Sequence, residues 1–386
     1  MKIKATALLL AMLMCLSLFA GCQSSELGSY SKDAETATPS PEAAPQKDYS
    51  PAYKAYKPDE VMLTINGTKI TWDELFYWYV SNLMGIEGYI GPITDWDAES
   101  AFAPGKTNRE FFTESALESV TLYTALESKA AELGITLSEE DKASVKAIWD
   151  NNVKSYGDGD EDAFREYLKK IYLNEKIFNH MNEVSVLFDK IFAELYGAKG
   201  EKIPVDEVLA TAADMGYLRA KHILLSNKDE AGTVLSAEKL AEKKATAEKL
   251  LAELKAISDP AAREARFDAL IAEKGEDSGA ATYTDGYTFL PEKMVEGFSS
   301  AVKALKDNEM SEIVETEHGY HIILRLPLSA TAAVELSAQG ESMTLPMYVA
   351  QKLFAVDSDG WMAEAKVETS KAYEKMDIAK VFAKAK

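Results

Sequence analysis

Hydrophobic and polar positions divide the chain into stretches of different period. Ala5 to Ala20 is an apolar run without a charge, preceded by Lys2 and Lys4. It is shorter than the ~20 residues that a membrane-spanning helix needs. Gln23 to about Pro58 is rich in Ser, Ala, Pro, Lys and Glu. Such a composition buries too little apolar surface to offset ordering entropy, so a flexible tether is predicted, with order beginning at Val61. Leu63-Thr-Ile65 and Lys69-Ile70 flank Asn66-Gly67, a hairpin signal because Asn-Gly suits a type I′ turn. Asn66-Gly67-Thr68 is also a glycosylation sequon, for which the turn is the better account. Thr71-Trp-Asp-Glu74 reads as a capping box opening an aromatic helix.

From Asn108 to about Tyr196 the period is helical. Phe112, Ala116, Val120, Tyr123 and Leu126 recur on one face, and Leu133-Gly134 ends that helix. Acids at 139–141 open the next, where they complement the helix dipole, and two more cover 161–173 and 175–195. After Tyr217 the pattern turns mixed. Leu218–Leu225 reads as a strand, Ser236–Lys255 as a helix, and Asp259-Pro260 to Gly275 as another. A short strand is predicted within 281–289, a helix over 293–305, and strands around Thr316 and over 320–326. A C-terminal helix is predicted from about Ser370, with the last sixty residues packing back on the N-terminal helices.

The ends and the charge narrow the setting. Leu18-Phe-Ala-Gly-Cys22 places small residues before a cysteine, so the leader reads as a secretory signal. Its end resembles the lipobox of bacterial lipoproteins, in which Cys22 becomes the lipidated first residue. Cys15 leaves with the leader, so no thiol remains for a disulfide and stability rests on packing. The formal net charge of −21 argues against nucleic acid or anionic lipid as partner, since both reward clustered Lys and Arg. The acidic run Asp158–Asp162 lacks the glycine and glutamate of a calcium loop, because Ala163 and Lys169 stand at those places. A solvated loop is expected. A solute-binding lipoprotein would show repeated βαβ units, and none is seen.

Residues 217–326 carry the candidate chemistry. Five segments occur there in order: Arg219-Ala-Lys-His222-Ile-Leu-Leu225, Glu276-Asp-Ser-Gly279, Asp285-Gly-Tyr-Thr-Phe289, Met294-Val-Glu-Gly-Phe298 and Thr316-Glu-His-Gly-Tyr-His321-Ile-Ile323. Together they resemble the parvulin family of prolyl isomerases, as found in PrsA-like and SurA-like foldases. The region before them more loosely resembles those foldases' chaperone module. The resemblance implies an α+β fold: a four-stranded antiparallel sheet wrapped by helices, attached to a mainly helical chaperone-like domain. The implied organisation is a signal over 1–21, a tether over 22–58, a helical domain over 59–215, the isomerase over 216–328 and a helical extension over 329–386.

By the same resemblance His222 and His321 pair at the centre of the sheet, Thr316 sets a tautomer and Asp277 lies near the isomerising carbonyl. Met294, Phe298 and Phe289 line the slot for the proline ring. Tyr283-Thr-Asp-Gly-Tyr287 replaces the family's common Gly-Gly-Asp-Leu-Gly, so one wall of the slot, at Tyr287, departs from the pattern. These residue types suit the reaction. Amide resonance sets a barrier of ~18–20 kcal/mol, and no bond breaks, so neither a covalent nucleophile nor a cofactor is needed. An apolar cradle can favour the twisted, less polar amide. The rival reading of the histidines is a satisfied core pair. A metal set with His318 is disfavoured, because His318 and His321, three apart on a strand, diverge. Met294 and Phe298, four apart, also fit a plain core stripe. The loop 226–230 lacks the basic cluster that phosphoserine-proline selectivity requires. The expected partners are unfolded exported polypeptides with X-Pro bonds and, through Cys22, the outer face of the membrane. A homodimer and an inactive, purely binding parvulin scaffold stay open.

Overall fold

The computed structural model describes residues 47–336 and 342–385. The leader, Cys22 and the tether as far as residue 46 lie outside the described residues. Two compact units divide the described residues, one of residues 47–195 and 352–385, the other of 196–336 and 342–351.

The first unit is mainly helical, and its hairpin forms where the turn chemistry demands. Asn66 (φ 49°) and Gly67 (φ 86°) both take positive φ, which a type I′ turn requires and which these two residues tolerate best. Strands Val61–Ile65 and Thr68–Thr71 pair across it, and Val367–Thr369 adds to the free side with Leu63 opposite Thr369. Helices Trp72–Ile90 and Asn108–Glu132 meet through Trp78 and Tyr123, whose ring centres are 5.0 Å apart. Thr107 with Glu110, and Ser138 with Asp141, form reciprocal capping boxes at two helix starts. The predicted box at Thr71 does not form: its hydroxyl goes instead to Asp73, 2.5 Å away, and that carboxylate accepts the Glu74 N–H.

Order also begins earlier than Val61. Ser50–Tyr53 is a helical turn, and Tyr49 is buried against Phe382 with its N–H donated to the Tyr172 hydroxyl at 2.7 Å. One large aromatic ring can anchor a segment whose average composition is polar. The predicted helical extension holds a long helix, Leu345–Glu364, but the helix predicted from about Ser370 is broken into the short helices Lys371–Glu374 and Ile378–Phe382 after the strand Val367–Thr369.

The second unit is α+β. Its sheet holds strands β1 (Leu218–Ser226), β2 (Tyr287–Phe289), β3 (Val314–Thr316) and β4 (Gly319–Leu326) in the order β2-β1-β4-β3, all antiparallel. Alternation along β1 and β4 builds two cores. Ile223, Leu225, Ile322, Leu324 and Leu326 face helices α1 (Ala237–Lys255) and α2 (Pro260–Lys274). Ala220, Phe289 and Ile323 face the short helix α3 (Glu296–Ala304), which contributes Phe298 and Val302. The histidines lie on this second face. Two predicted elements shrink. The strand within 281–289 is confined to β2, and the helix over 293–305 becomes a 3-10 turn at Pro291–Lys293 followed by α3. Pro291 starts that turn, and Met294 after it is extended (φ −120°, ψ 157°). Met294 and Phe298 are therefore not a stripe on one helix.

Candidate active site

The register of β1 on β4 brings the two histidines together. His222 lies opposite Ile323, and His321 opposite Leu224, which makes the histidines diagonal neighbours on one face. Their rings are nearly parallel (11°) with centres 5.1 Å apart, and Nδ1 faces Nδ1 at 2.9 Å. Gly319 permits the tight β3–β4 turn: its φ is 134°, and an added Cβ would sit 2.2 Å from the Leu225 carbonyl oxygen.

Each imidazole has a second partner. His222 Nε2 is 3.0 Å from Asp277 Oδ2, and His321 Nε2 is 2.8 Å from Thr316 Oγ1. The Tyr287 hydroxyl donates to the same Asp277 oxygen at 2.5 Å, and the Gly279 N–H donates to Oδ1 at 3.1 Å. Asp277 is itself set by its neighbour. The Glu276 N–H donates to Leu224 O and its carboxylate accepts the Ser226 N–H, while Lys243 of α1 pairs with it. Sequence reading gave Glu276 no task, although its place beside Asp277 was the available signal.

The hydrogen bonds have one consistent direction. Burial pushes the Asp277 carboxyl up, but donors from His222, Tyr287 and Gly279 outweigh it and hold the carboxyl down at about 2. An ionised carboxylate only accepts, so His222 donates from Nε2 and its Nδ1 is an acceptor when the ring is neutral. His321 then donates from Nδ1, its Nε2 accepts the Thr316 hydroxyl proton, and Thr316 Oγ1 accepts the His318 N–H at 3.1 Å. Burial, then His222 and His318, push the His321 imidazole down to about 3, so that ring is neutral at ordinary pH. Burial and the Asp277 carboxylate push the Tyr287 phenol up.

This neutrality has a sign. The unfolded chain protonates His321 near its ordinary value of 6.5, and the folded chain only at about 3. Stability is therefore full above pH 6.5 and falls towards pH 3, by up to ~1.4 kcal/mol per pH unit. Asp277 adds a further loss between 3.8 and about 2. In NMR titration the His321 ring should show no protonation step between pH 8 and 5. A midpoint near 6.5 would contradict the assignment.

Beside the histidines lies an apolar wall. Phe298 stands edge-on to both imidazoles, at 5.2 Å from His222 and 5.6 Å from His321, and its ring centre is 5.8 Å from that of Phe289. Met294 is half-buried and packs on this cluster with Val295 and Tyr287. Arg325 holds α3 in place by donating to Val302 O and Leu305 O at the helix end, at 3.2 and 2.7 Å. That cap was not read from the sequence, since only the fold brings β4 to the end of α3. All the predicted site residues within the described part thus converge, whereas His318 does not join them. It sits half-exposed in the β3–β4 turn rather than on a strand.

Residues 222–326 match the Rotamase family, described as the PPIC-type PPIASE domain. The peptidyl-prolyl cis-trans isomerase Pin1 of Malus domestica is 33% identical over 118 residues, which cover 28% of this chain and 92% of that protein. The foldase protein PrsA of Clostridium tetani is 25% identical over 272 residues, 68% of this chain and 73% of the relative. Among solved structures, PrsA from Bacillus subtilis aligns with 69% of this chain and 91% of its own, at 21% identity and a TM-score of 0.23. The chain belongs to the parvulin-type (rotamase) peptidyl-prolyl cis/trans isomerases. It is an isomerase of the foldase kind, in which the catalytic domain is one part of a longer chain.

Proposed function

We propose that the chain isomerises X-Pro bonds in unfolded exported polypeptides, held by a lipid on Cys22 at the outer face of the membrane after its signal is removed. The carrying observation is the hydrogen-bonded chain from Thr316 through His321 and His222 to Asp277, set beside the Met294–Phe298 wall. In this reading Met294, Phe298 and Phe289 hold the proline ring while Asp277 faces the preceding carbonyl. Amide resonance places partial negative charge on that oxygen, and twisting about the C–N bond removes it. A fixed carboxylate therefore disfavours the planar amide more than the twisted one, which lowers the barrier. His222 donates to the carboxylate from Nε2, and His321 and Thr316 continue the chain behind it.

The helical unit would hold the unfolded client, with the isomerase over 216–328 acting on it and the last residues closing the helical unit. The acidic surroundings and the loop 226–230 support unphosphorylated X-Pro sites as substrates. Sedimentation of the mature chain distinguishes one copy from two. The functional test is proline-limited refolding of a model protein in the presence of the mature chain. The slow phase should quicken several-fold, and His222→Ala with Met294→Ala should abolish this. An unchanged slow phase together with suppressed aggregation would leave only a binding role.

A further inference from the structure

We propose that Tyr287 is a positioning residue for Asp277, and that position 279 is glycine because the Tyr287 phenol fills the space a side chain would need. The proposal rests on the isomerase reading above and deepens it. In the family pattern Gly-Gly-Asp-Leu-Gly, laid over residues 283–287, Tyr287 stands where the last glycine belongs. A bulky phenol has replaced an absent side chain at the edge of the site, and the geometry shows where it goes. Tyr287 pairs with Ala220 in the sheet, and its ring packs against Tyr283 at 4.8 Å and edge-on to His222 at 5.7 Å. Its hydroxyl reaches the Asp277 oxygen that also accepts from His222.

The consequence is that both carboxylate oxygens are fixed. Oδ2 receives His222 and Tyr287, and Oδ1 receives the Gly279 N–H. With the phenol absent, Oδ2 would keep one donor and the carboxylate would be freer to turn away from His222. Gly279 completes the pair. Its backbone is not in the left-handed region, so alanine is conformationally allowed there. Yet an added Cβ would lie 2.2 Å from the Tyr287 hydroxyl oxygen and 3.3 Å from the ring carbon bearing it. Because the ring is wedged between Tyr283 and His222, the phenol could clear that Cβ only by leaving Asp277. Removing the hydroxyl would relieve most of the clash.

The test compares the mature chain with Tyr287→Phe, Gly279→Ala and the double variant. Two readouts are used: kcat/KM on a short X-Pro peptide, and the 13C NMR titration of the Asp277 carboxyl. Tyr287→Phe should lower kcat/KM about tenfold and move the Asp277 titration upward by about one pH unit. Gly279→Ala should lose at least as much, and the double variant should be no worse than Tyr287→Phe alone. If Gly279→Ala does not fold by itself, recovery of folded protein in the double variant shows the same coupling. Tyr287→Phe leaving both readouts unchanged, or Gly279→Ala costing equally in both backgrounds, would overturn the proposal. An unmodified chain without isomerase activity would defeat the isomerase reading, and the carboxyl titration would still decide whether Tyr287 positions Asp277.

Discussion

Asp277→Asn is expected to lower kcat/KM on X-Pro peptides by about a hundredfold, within the range seen when a preorganised electrostatic group is removed, while the fold persists. The substitution keeps the shape and removes the charge. It also puts a donor where only acceptance was required, because His222 and Tyr287 both donate to Oδ2. If the amide nitrogen takes that place, His222 Nε2 must become the acceptor and its Nδ1 the donor. His321 then accepts at Nδ1 and donates from Nε2 to Thr316, which already accepts the His318 N–H. If the amide oxygen takes it, the new NH2 group faces the Gly279 N–H. The first arrangement reverses both imidazole tautomers, and the second opposes two donors at a cost of about 1–3 kcal/mol. The kinetic assay should be joined to 15N NMR of the imidazoles, which reports the tautomers. An unchanged rate, with His222 still protonated at Nε2, would remove Asp277 from the site's electrostatics.

Phe298→Ala is expected to have the largest combined effect. The ring is 4% exposed and touches both imidazoles and Phe289. Its truncation should destabilise the second unit by about 3–5 kcal/mol and lower kcat/KM by about a hundredfold through loss of the proline cradle. Stability and catalysis can be separated with Phe298→Leu, which keeps most of the volume. That variant should lose less than about 2 kcal/mol by urea unfolding, and its residual activity measures what an aromatic edge adds to the slot. If Phe298→Ala remains folded and keeps full activity, the wall is plain core.

Much of the site was legible because its chemistry is tied to local motifs. The resemblance implies the pairing of His222 with His321 and the place of Thr316, whereas the strand pattern alone leaves a satisfied core pair open, because periodicity does not say which strands lie side by side. Asn66-Gly67 was legible from the residues alone, since few residue pairs accept two positive φ values. Met294 misled, because a four-residue interval imitates a helical stripe when a 3-10 turn and an extended residue happen to separate two apolar side chains. Thr71 misled because a nearer carboxylate, Asp73, competes for its hydroxyl. The strand Val367–Thr369 gave no local signal: all three residues are exposed, and their partner Leu63 lies some three hundred positions away. Tyr49 was hidden by its polar neighbours, since a window average cannot register one buried ring. The Arg325 cap on α3 and the Glu276 staple depend on long-range juxtaposition, which periodicity does not encode.

The most direct measurement is two-dimensional exchange NMR on a short, unphosphorylated X-Pro peptide mixed with catalytic amounts of the mature chain. Uncatalysed exchange takes tens to hundreds of seconds. The account predicts exchange fast enough to give cis–trans cross-peaks on the sub-second scale, and their disappearance in His222→Ala with Met294→Ala. Cross-peaks absent for the unmodified chain, or equally strong for the doubly substituted one, would contradict it.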